Sequence, residues 1–151
     1  MADDPTRALQ RKTAASGAAL LVIAFATGGL LAAAMTKHVD ADVHTVVAAH
    51  LNAILGCLWL VALAVTLPLV RFGAAGRRRL VLATALPAYA NWLVTTVKAF
   101  LHVAGVDATG DRTNDVVFVA LNALVVLPSF VAAIAWTYGL LRREPSGDRA
   151  G

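Results

Sequence analysis

The sequence has few charges, one cysteine and almost no acidic residues inside its apolar regions. Charged residues make up 15% of the 151 residues, whereas a soluble domain carries about 25%. The single cysteine, Cys57, permits neither a disulfide within the chain nor a CxxC zinc site, so we interpret it as a small packing residue. Only Asp115, at a boundary, places a carboxylate near an apolar run, which argues against paired-carboxylate hydrolysis.

The common catalytic signatures are missing as well. The sequence contains no GxSxG, no P-loop and no HExxH, so it shows no serine-hydrolase, nucleotide-phosphate or zinc-protease site. Any chemistry would therefore depend on a cofactor, on a Lewis acid, or on neutral acids and bases.

Long apolar runs dominate what is present. Hydrophobic residues make up 59% of the chain and the mean hydropathy is +0.71. The runs cover residues 14–35, 43–70, 80–104 and 115–141, and each reaches the roughly 20 residues that a bilayer span needs. The apolar part of the first run is longer than the 7–15 residues or so of a signal peptide, so we interpret it as a retained helix. The sequence predicts one all-α integral membrane domain over residues 1–151, with four transmembrane helices in an up-down bundle joined by short loops.

Basic residues cluster on one predicted side of the membrane. Ten of the thirteen lie before the first run, between the second and third, or after the fourth: Arg7, Arg11, Lys12, Arg71, Arg77, Arg78, Arg79, Arg142, Arg143 and Arg149. The positive-inside rule then predicts cytoplasmic N and C termini in a multi-pass protein of a bacterial-type inner membrane. We expect residues 1–13 and 143–151 to be polar tails. No aromatic residues alternate with these charges, so the expected partner is the lipid bilayer and not nucleic acid.

The third run carries polar side chains within the stretch YANWLVTTVKAFLH, residues 89–102. On a helix, Asn91, Thr95, Lys98 and His102 fall within an arc of about 60°, so they predict one polar stripe. A lysine at the centre of a membrane helix costs about 2.5–3.5 kcal/mol, so such a group faces a bundle interior or a cavity, or extends to the interface. Hydrogen bonding between helices is the simpler interpretation for the amide and hydroxyl groups.

Three predicted helices place polar residues at a similar depth. His50, Lys98 and Asn122 each lie about 10 Å from the outer end of their run at a rise of about 1.5 Å per residue, which predicts a polar pocket open to the outer side. Asn52 lies about 200° around the helix from His50, so we expect these two side chains to face different neighbours. His50 is the strongest functional candidate, because imidazole is a frequent haem ligand, metal ligand and general base. Pro87 and Pro128 lie inside runs, where proline can kink a helix.

Two segments resemble a known family. Residues 47–72, VAAHLNAILGCLWLVALAVTLPLVRF, resemble the second helix of bacterial hydroxylaminobenzene mutases, with Ala-His at the start, a later glycine and a proline before a basic loop. Residues 89–96, YANWLVTT, resemble the Tyr-Ala-Asn-Trp-Leu signature of the same family. Styrene oxide isomerase is similar at a greater distance, through Ala-His in helix 2 and Trp-Ala-Asn in helix 3.

The resemblance implies a small integral-membrane isomerase or mutase of aromatic compounds. It also implies haem b between the subunits of a homotrimer, with His50 as axial ligand and ferric iron as the Lewis acid on a substrate oxygen. Asn91 and Tyr89 match the helix-3 motif, and we add Asn52 and Lys98 as further candidate catalytic residues.

The chain departs from these relatives at two positions. Gly56 stands where they have an asparagine six residues after the helix-2 histidine, and Thr95 stands where the epoxide isomerase has a tyrosine. Both departures bear on which substrate the chain accepts.

Two other functions fit the sequence. A b-type electron carrier could ligate haem through His50 and His102 on neighbouring helices. A non-enzymatic membrane module could use the polar stripe to hold its helices together or to line a permeation path.

Overall fold

The computed structural model describes residues 4–142, and every regular element in that range is helical. The α-helices are α1 (Pro5–Met35), α2 (Val43–Thr66), α3 (Ala74–Leu101), α4 (Arg112–Leu121) and α5 (Leu127–Leu141). A short 3₁₀ turn, Leu67–Leu69, extends α2, and a π-helical turn, Asn122–Val126, joins α4 to α5 into one rod. Four helical segments are therefore long and apolar enough to cross a membrane: Pro5–Met35, Val43–Leu69, Ala74–Leu101 and Arg112–Leu141.

Aspartate caps begin three of the helices, because a carboxylate can accept the unpaired N–H groups of a first turn. Asp4, Asp42 and Asp111 accept backbone N–H groups at 3.0, 2.8 and 2.8 Å respectively. The cap before Pro5 corrects the expected N-terminal tail, since residues 5–13 are helical. The tail predicted for residues 143–151, with Arg143 and Arg149, lies outside the described residues.

The other predicted boundaries also shift by several residues. α3 begins at Ala74 and not at residue 80, and it ends at Leu101 and not at residue 104. It ends because His102 adopts a left-handed conformation, with φ of 51°, and donates its N–H to the carbonyl of Lys98. The fourth segment begins at Arg112, three residues before the predicted start.

The two internal prolines have different effects on their helices. α3 continues through Pro87, which is fully buried. Pro128 comes two residues after the π-helical turn, and the N–H of Leu127, which follows the turn, donates to the carbonyl of Asn122. A π turn inserts one extra residue, so it rotates everything beyond it relative to α4. The kink expected at Pro128 stays a prediction, and the irregularity that the structure shows is the π turn before it.

The four segments run alternately up and down, and they pack mainly on their neighbours in sequence: α1 on α2, α2 on α3, and α3 on the α4–α5 rod. At one end, called the terminal end here, the start of α1 meets the end of α2, where Gln10 donates to the carbonyl of Ala64. At the same end the backbone N–H of Arg71 donates to the carbonyl of Gly139. The opposite end is closed by the N–H of Asp42 donating to the carbonyl of Ala99.

Two of the basic residues at the terminal end, Arg71 and Arg77, also form hydrogen bonds that join different segments of the chain. The guanidinium of Arg77 donates to the carbonyl of Val70 and to the hydroxyl of Thr6, and that of Arg71 donates to the carbonyl of Arg142. These bonds join the first turn of α1, the α2–α3 loop and the end of α5 at the terminal end. Which side of a membrane this end faces stays a prediction.

Small residues and leucines form the centre of the bundle, while large apolar side chains point outward. The central cluster consists of Leu20, Ala24, Ala53, Cys57, Leu60 and Ala88, which confirms Cys57 as a packing residue. Val65 and Phe25 remain about 70% exposed at the surface. An apolar exterior around a closely packed interior is what a lipid environment requires.

Replacing Asp42 by alanine should lower stability by about 1 kcal/mol, because the N–H and hydroxyl of Thr45 would lose their acceptor. Asp42→Asn retains a capping oxygen and should lose much less. Thermal unfolding of the purified protein in detergent measures both changes.

The effect of Asp42→Ala should also depend on pH. Hydrogen bonds from the Thr45 hydroxyl and N–H hold the pKa of Asp42 below its ordinary 3.8, with His44 and His102 adding to the effect. The stabilisation is therefore complete above pH 3.8 and is lost as the pH falls through the lower folded value. A difference between wild type and Asp42→Ala that persists unchanged in strong acid would contradict this assignment.

Candidate functional site

A cavity of about 270 Å³ lies between α2, α3 and α5. Its lining consists of Asn52, Leu55, Gly56, Trp59, Pro87, Ala88, Asn91 and Ser129. None of these side chains is charged, so the cavity suits a neutral molecule that has an apolar body and a polar atom. A larger surface depression at the terminal end, of about 530 Å³, is lined in part by Arg7, Gln10 and Arg11, and it lacks the predicted site residues.

Two amides that line the cavity, Asn52 and Asn91, are hydrogen-bonded to each other and to Thr95 behind them. Asn52 Nδ2 donates to Asn91 Oδ1 and to Thr95 Oγ1, each at 3.1 Å. The hydroxyl of Thr95 in turn donates to Asn91 Oδ1 at 3.4 Å. Thr95 is buried, and both amides are half-buried. The structure thus confirms that Asn91 and Thr95 lie on one face of α3, and Asn52 of α2 bonds to both.

The amide nitrogen of Asn91 makes no hydrogen bond to the described residues, so its protons are available to a molecule in the cavity that this residue lines. Within residues 4–142 it donates to no protein group, and no fully buried side-chain nitrogen or oxygen in this range lacks a partner. The Asn91 nitrogen is therefore accessible, and Asn91 lines the cavity. The arrangement can offer two N–H donors to an oxygen of a bound molecule.

Gly56 brings α2 and α3 together beside these amides. A Cβ atom at residue 56 would lie 2.6 Å from Leu20 Cδ2, 3.2 Å from Ala88 Cβ and 3.3 Å from the Ala88 carbonyl oxygen. The asparagine that the relatives have at this position would not fit without moving the helices. Asn52, one turn earlier and on the same face of α2, supplies an amide to the cavity instead.

His50 faces α1, on the other side of α2. Its Nδ1 lies 2.8 Å from the carbonyl oxygen of Ala24, which can only accept, so Nδ1 carries a proton, and Nε2 makes no hydrogen bond within the part of the chain that the structure describes. The imidazole lies against Gly28, where a Cβ atom would be 3.3 Å from His50 Cε1. The prediction that His50 and Asn52 face different neighbours is confirmed.

The predicted outer pocket of His50, Lys98 and Asn122 is not formed. His50 bonds to α1, Lys98 Nζ donates to the carbonyl of Ala104 at 2.9 Å, and Asn122 Nδ2 donates to the carbonyl of Phe118 in its own helix. The prediction treated α3 as continuing to residue 104. Because α3 ends at Leu101, Lys98 binds the chain just beyond its own helix.

Two further candidates lie away from the cavity. The hydroxyl of Tyr89 donates to the carbonyl of Ser16 on α1 at 2.8 Å. His102 lies beyond the end of α3, where its Nε2 is 3.3 Å from a carboxylate oxygen of Asp40. His102 and His50 thus contact different parts of the chain.

The sequence reasoning did not assign Trp59 and Ser129 to the cavity. Trp59 supplies an aromatic wall, and Ser129 supplies a hydroxyl from α5. A serine directly after a proline within an apolar run was an available signal for Ser129. No comparable signal distinguishes Trp59 from the lipid-facing side chains around it.

Among the described residues, no group of three or more His, Cys, Asp or Glu side chains could hold a metal ion. A haem requires less from the protein, since one axial imidazole can bind its iron. His50, with Nδ1 held by a carbonyl and Nε2 available, has the arrangement that metal-binding histidines usually show.

Comparison with known proteins gives one family. The family model described as styrene oxide isomerase matches residues 9–141, nearly all of the chain. No curated protein and no solved structure matches this chain.

Replacing Gly56 by alanine should destabilise the bundle by about 1–3 kcal/mol, because the new methyl group would force α2 away from Ala88 and Leu20. The matched control is Gly29→Ala in α1, where a Cβ atom meets nothing within 4 Å. A helical glycine in open space is expected to gain about 0.5–1 kcal/mol on substitution by alanine. Thermal unfolding in detergent should therefore shift in opposite directions, and equal shifts would contradict the close contact at Gly56.

Proposed function

The chain belongs to the styrene oxide isomerase family, and we propose its function on that basis. We infer that it is an isomerase of the membrane that rearranges small, neutral aromatic compounds bearing a reactive C–O or N–O oxygen. An aryl epoxide and an aryl hydroxylamine are the two substrate types that fit this description. The observation that carries the proposal is the uncharged cavity in which Asn91 presents free N–H donors beside the aromatic wall of Trp59.

Haem b is the proposed cofactor, and His50 is the residue that would hold it. The Nδ1–H of His50 donates a hydrogen bond to the Ala24 carbonyl, so Nε2 would be the atom that binds the iron. When bound, ferric haem supplies a Lewis acid for the substrate oxygen.

The cavity residues would then bind and orient the substrate. The N–H groups of Asn91 would donate to the substrate oxygen as negative charge develops on it. Trp59 and Pro87 offer apolar surfaces for the aromatic ring, and their presence limits water in the cavity. Exclusion of water suits an isomerisation, in which atoms move within one molecule, because water would divert an opened epoxide to a diol.

The positions of His50 and Asn91 favour an oligomeric site. His50 bonds to α1, whereas Asn52 bonds to Asn91 on α3, so the imidazole and the amides lie on opposite sides of α2. One substrate oxygen could meet both only if His50 of one copy lay next to the cavity of another. We therefore propose a homo-oligomer, and the family resemblance implies a trimer. Each copy would be a multi-pass protein of a bacterial-type inner membrane.

Purification after expression with ample haem tests the cofactor assignment. Wild-type protein should show a Soret absorption band and should convert styrene oxide or hydroxylaminobenzene to an isomer. His50→Ala should lose both, because the iron would lose its only proposed protein ligand.

The control is His38→Ala, which removes an exposed imidazole bonded to Thr36. It should retain the Soret band and the turnover. Wild-type protein without a Soret band, or an unchanged band in His50→Ala, would contradict the haem proposal.

A further inference from the structure

We propose that Asn52 and Thr95 are positioning residues that hold the Asn91 amide with its N–H groups toward the cavity, so that the cavity recognises a neutral oxygen acceptor. The inference rests on the proposed function for the nature of the ligand, a small aromatic compound with one oxygen. It changes the role of Asn52, which acts through Asn91 and does not itself need to touch the substrate.

The hydrogen bonds within the group run in one direction. Asn52 Nδ2 donates both to Asn91 Oδ1 and to Thr95 Oγ1. The hydroxyl of Thr95 then has one proton left, which it donates to Asn91 Oδ1. Two donors therefore converge on Asn91 Oδ1 and leave Asn91 Nδ2 on the cavity side.

The bonds also couple the two amides. If Asn91 turned alone, its NH₂ group would face the NH₂ group of Asn52, and two donors would oppose each other without an acceptor. Since leaving buried polar groups unpaired is costly, Asn91 cannot reverse while Asn52 stays in place. Thr95 is only 4% exposed, so water cannot readily substitute for its hydroxyl.

The fixed amide has a chemical consequence. A donor that already points at the ligand oxygen needs no reorientation when charge develops there, which is how preorganised donors assist a reaction. No charged side chain lines the cavity, so its side-chain donors are these N–H groups, the hydroxyl of Ser129 and the indole N–H of Trp59. The site should therefore favour neutral carbonyl, epoxide or hydroxylamine oxygens over ionised ligands.

Infrared spectroscopy of a bound ketone tests the proposal without depending on turnover or haem. The probe is acetophenone, unlabelled and with a ¹³C carbonyl, added to the full-length protein in detergent. A hydrogen bond lowers the carbonyl stretching frequency, so the wild-type band should lie below that of Asn91→Leu. Asn52→Leu should move the band to the Asn91→Leu position and weaken acetophenone binding about threefold to tenfold, as expected for loss of one hydrogen bond.

Asn122→Leu is the matched control, because Asn122 bonds to Phe118 in its own helix and does not line the cavity. Its band should match wild type. Thr95→Val should broaden the band, since one of the two donors to Asn91 Oδ1 is lost.

Two results would overturn the proposal. One is a wild-type band at the Asn91→Leu frequency, which would mean that Asn91 gives no hydrogen bond. The other is an Asn52→Leu band at the wild-type frequency, even with a lower unfolding temperature, which would mean that Asn52 only stabilises the fold. A lowered wild-type band in a protein that isomerises nothing would support the amide arrangement and refute the proposed enzyme activity separately.

Discussion

The close approach of α2 and α3 at Gly56 is the constraint on which the rest of the site depends. The missing side chain lets the backbone of α2 lie against Ala88, and this contact sets the spacing of the two helices. At that spacing the amide of Asn52, one turn before Gly56 on α2, reaches Asn91 and Thr95 on α3. In an apolar environment such amides need partners, and here their pairing leaves the donors of one amide facing a cavity. The packing and the chemistry of the site are therefore one arrangement.

The sequence predicts the four apolar helices, their order and the separation of His50 from Asn52, because these follow from run length and helical angle. It does not predict where the helices end. Those ends depend on caps such as Asp4 and on the left-handed His102, which are local interactions that hydropathy does not report. The error matters for function, because extending α3 to residue 104 placed Lys98 in a pocket, whereas it bonds to Ala104. The cavity itself lies beside the close packing at Gly56, which a periodic pattern does not show.

The two faces of α2 carry different parts of the proposed site. One face holds His50, with its ligand nitrogen left available by the bond to Ala24, and the other holds the amide wall of the cavity. A chain of four segments that pack mainly on their neighbours in sequence leaves both faces partly open. The proposed assembly of copies would bring them together. The proposed function therefore requires His50 of one copy and Asn91 of another to act on the same substrate.

Complementation between two inactive variants measures this dependence directly. His50→Ala and Asn91→Leu are expressed separately and then together in one cell, with distinct tags so that mixed oligomers can be purified through both. We expect His50→Ala alone to lack both the Soret band and turnover, and Asn91→Leu alone to keep the band but lose turnover. Mixed oligomers should show the band and regain isomerase turnover, since intact His50 and intact Asn91 can meet between copies. Mixed oligomers that bind haem but are no more active than Asn91→Leu alone would contradict a site shared between copies.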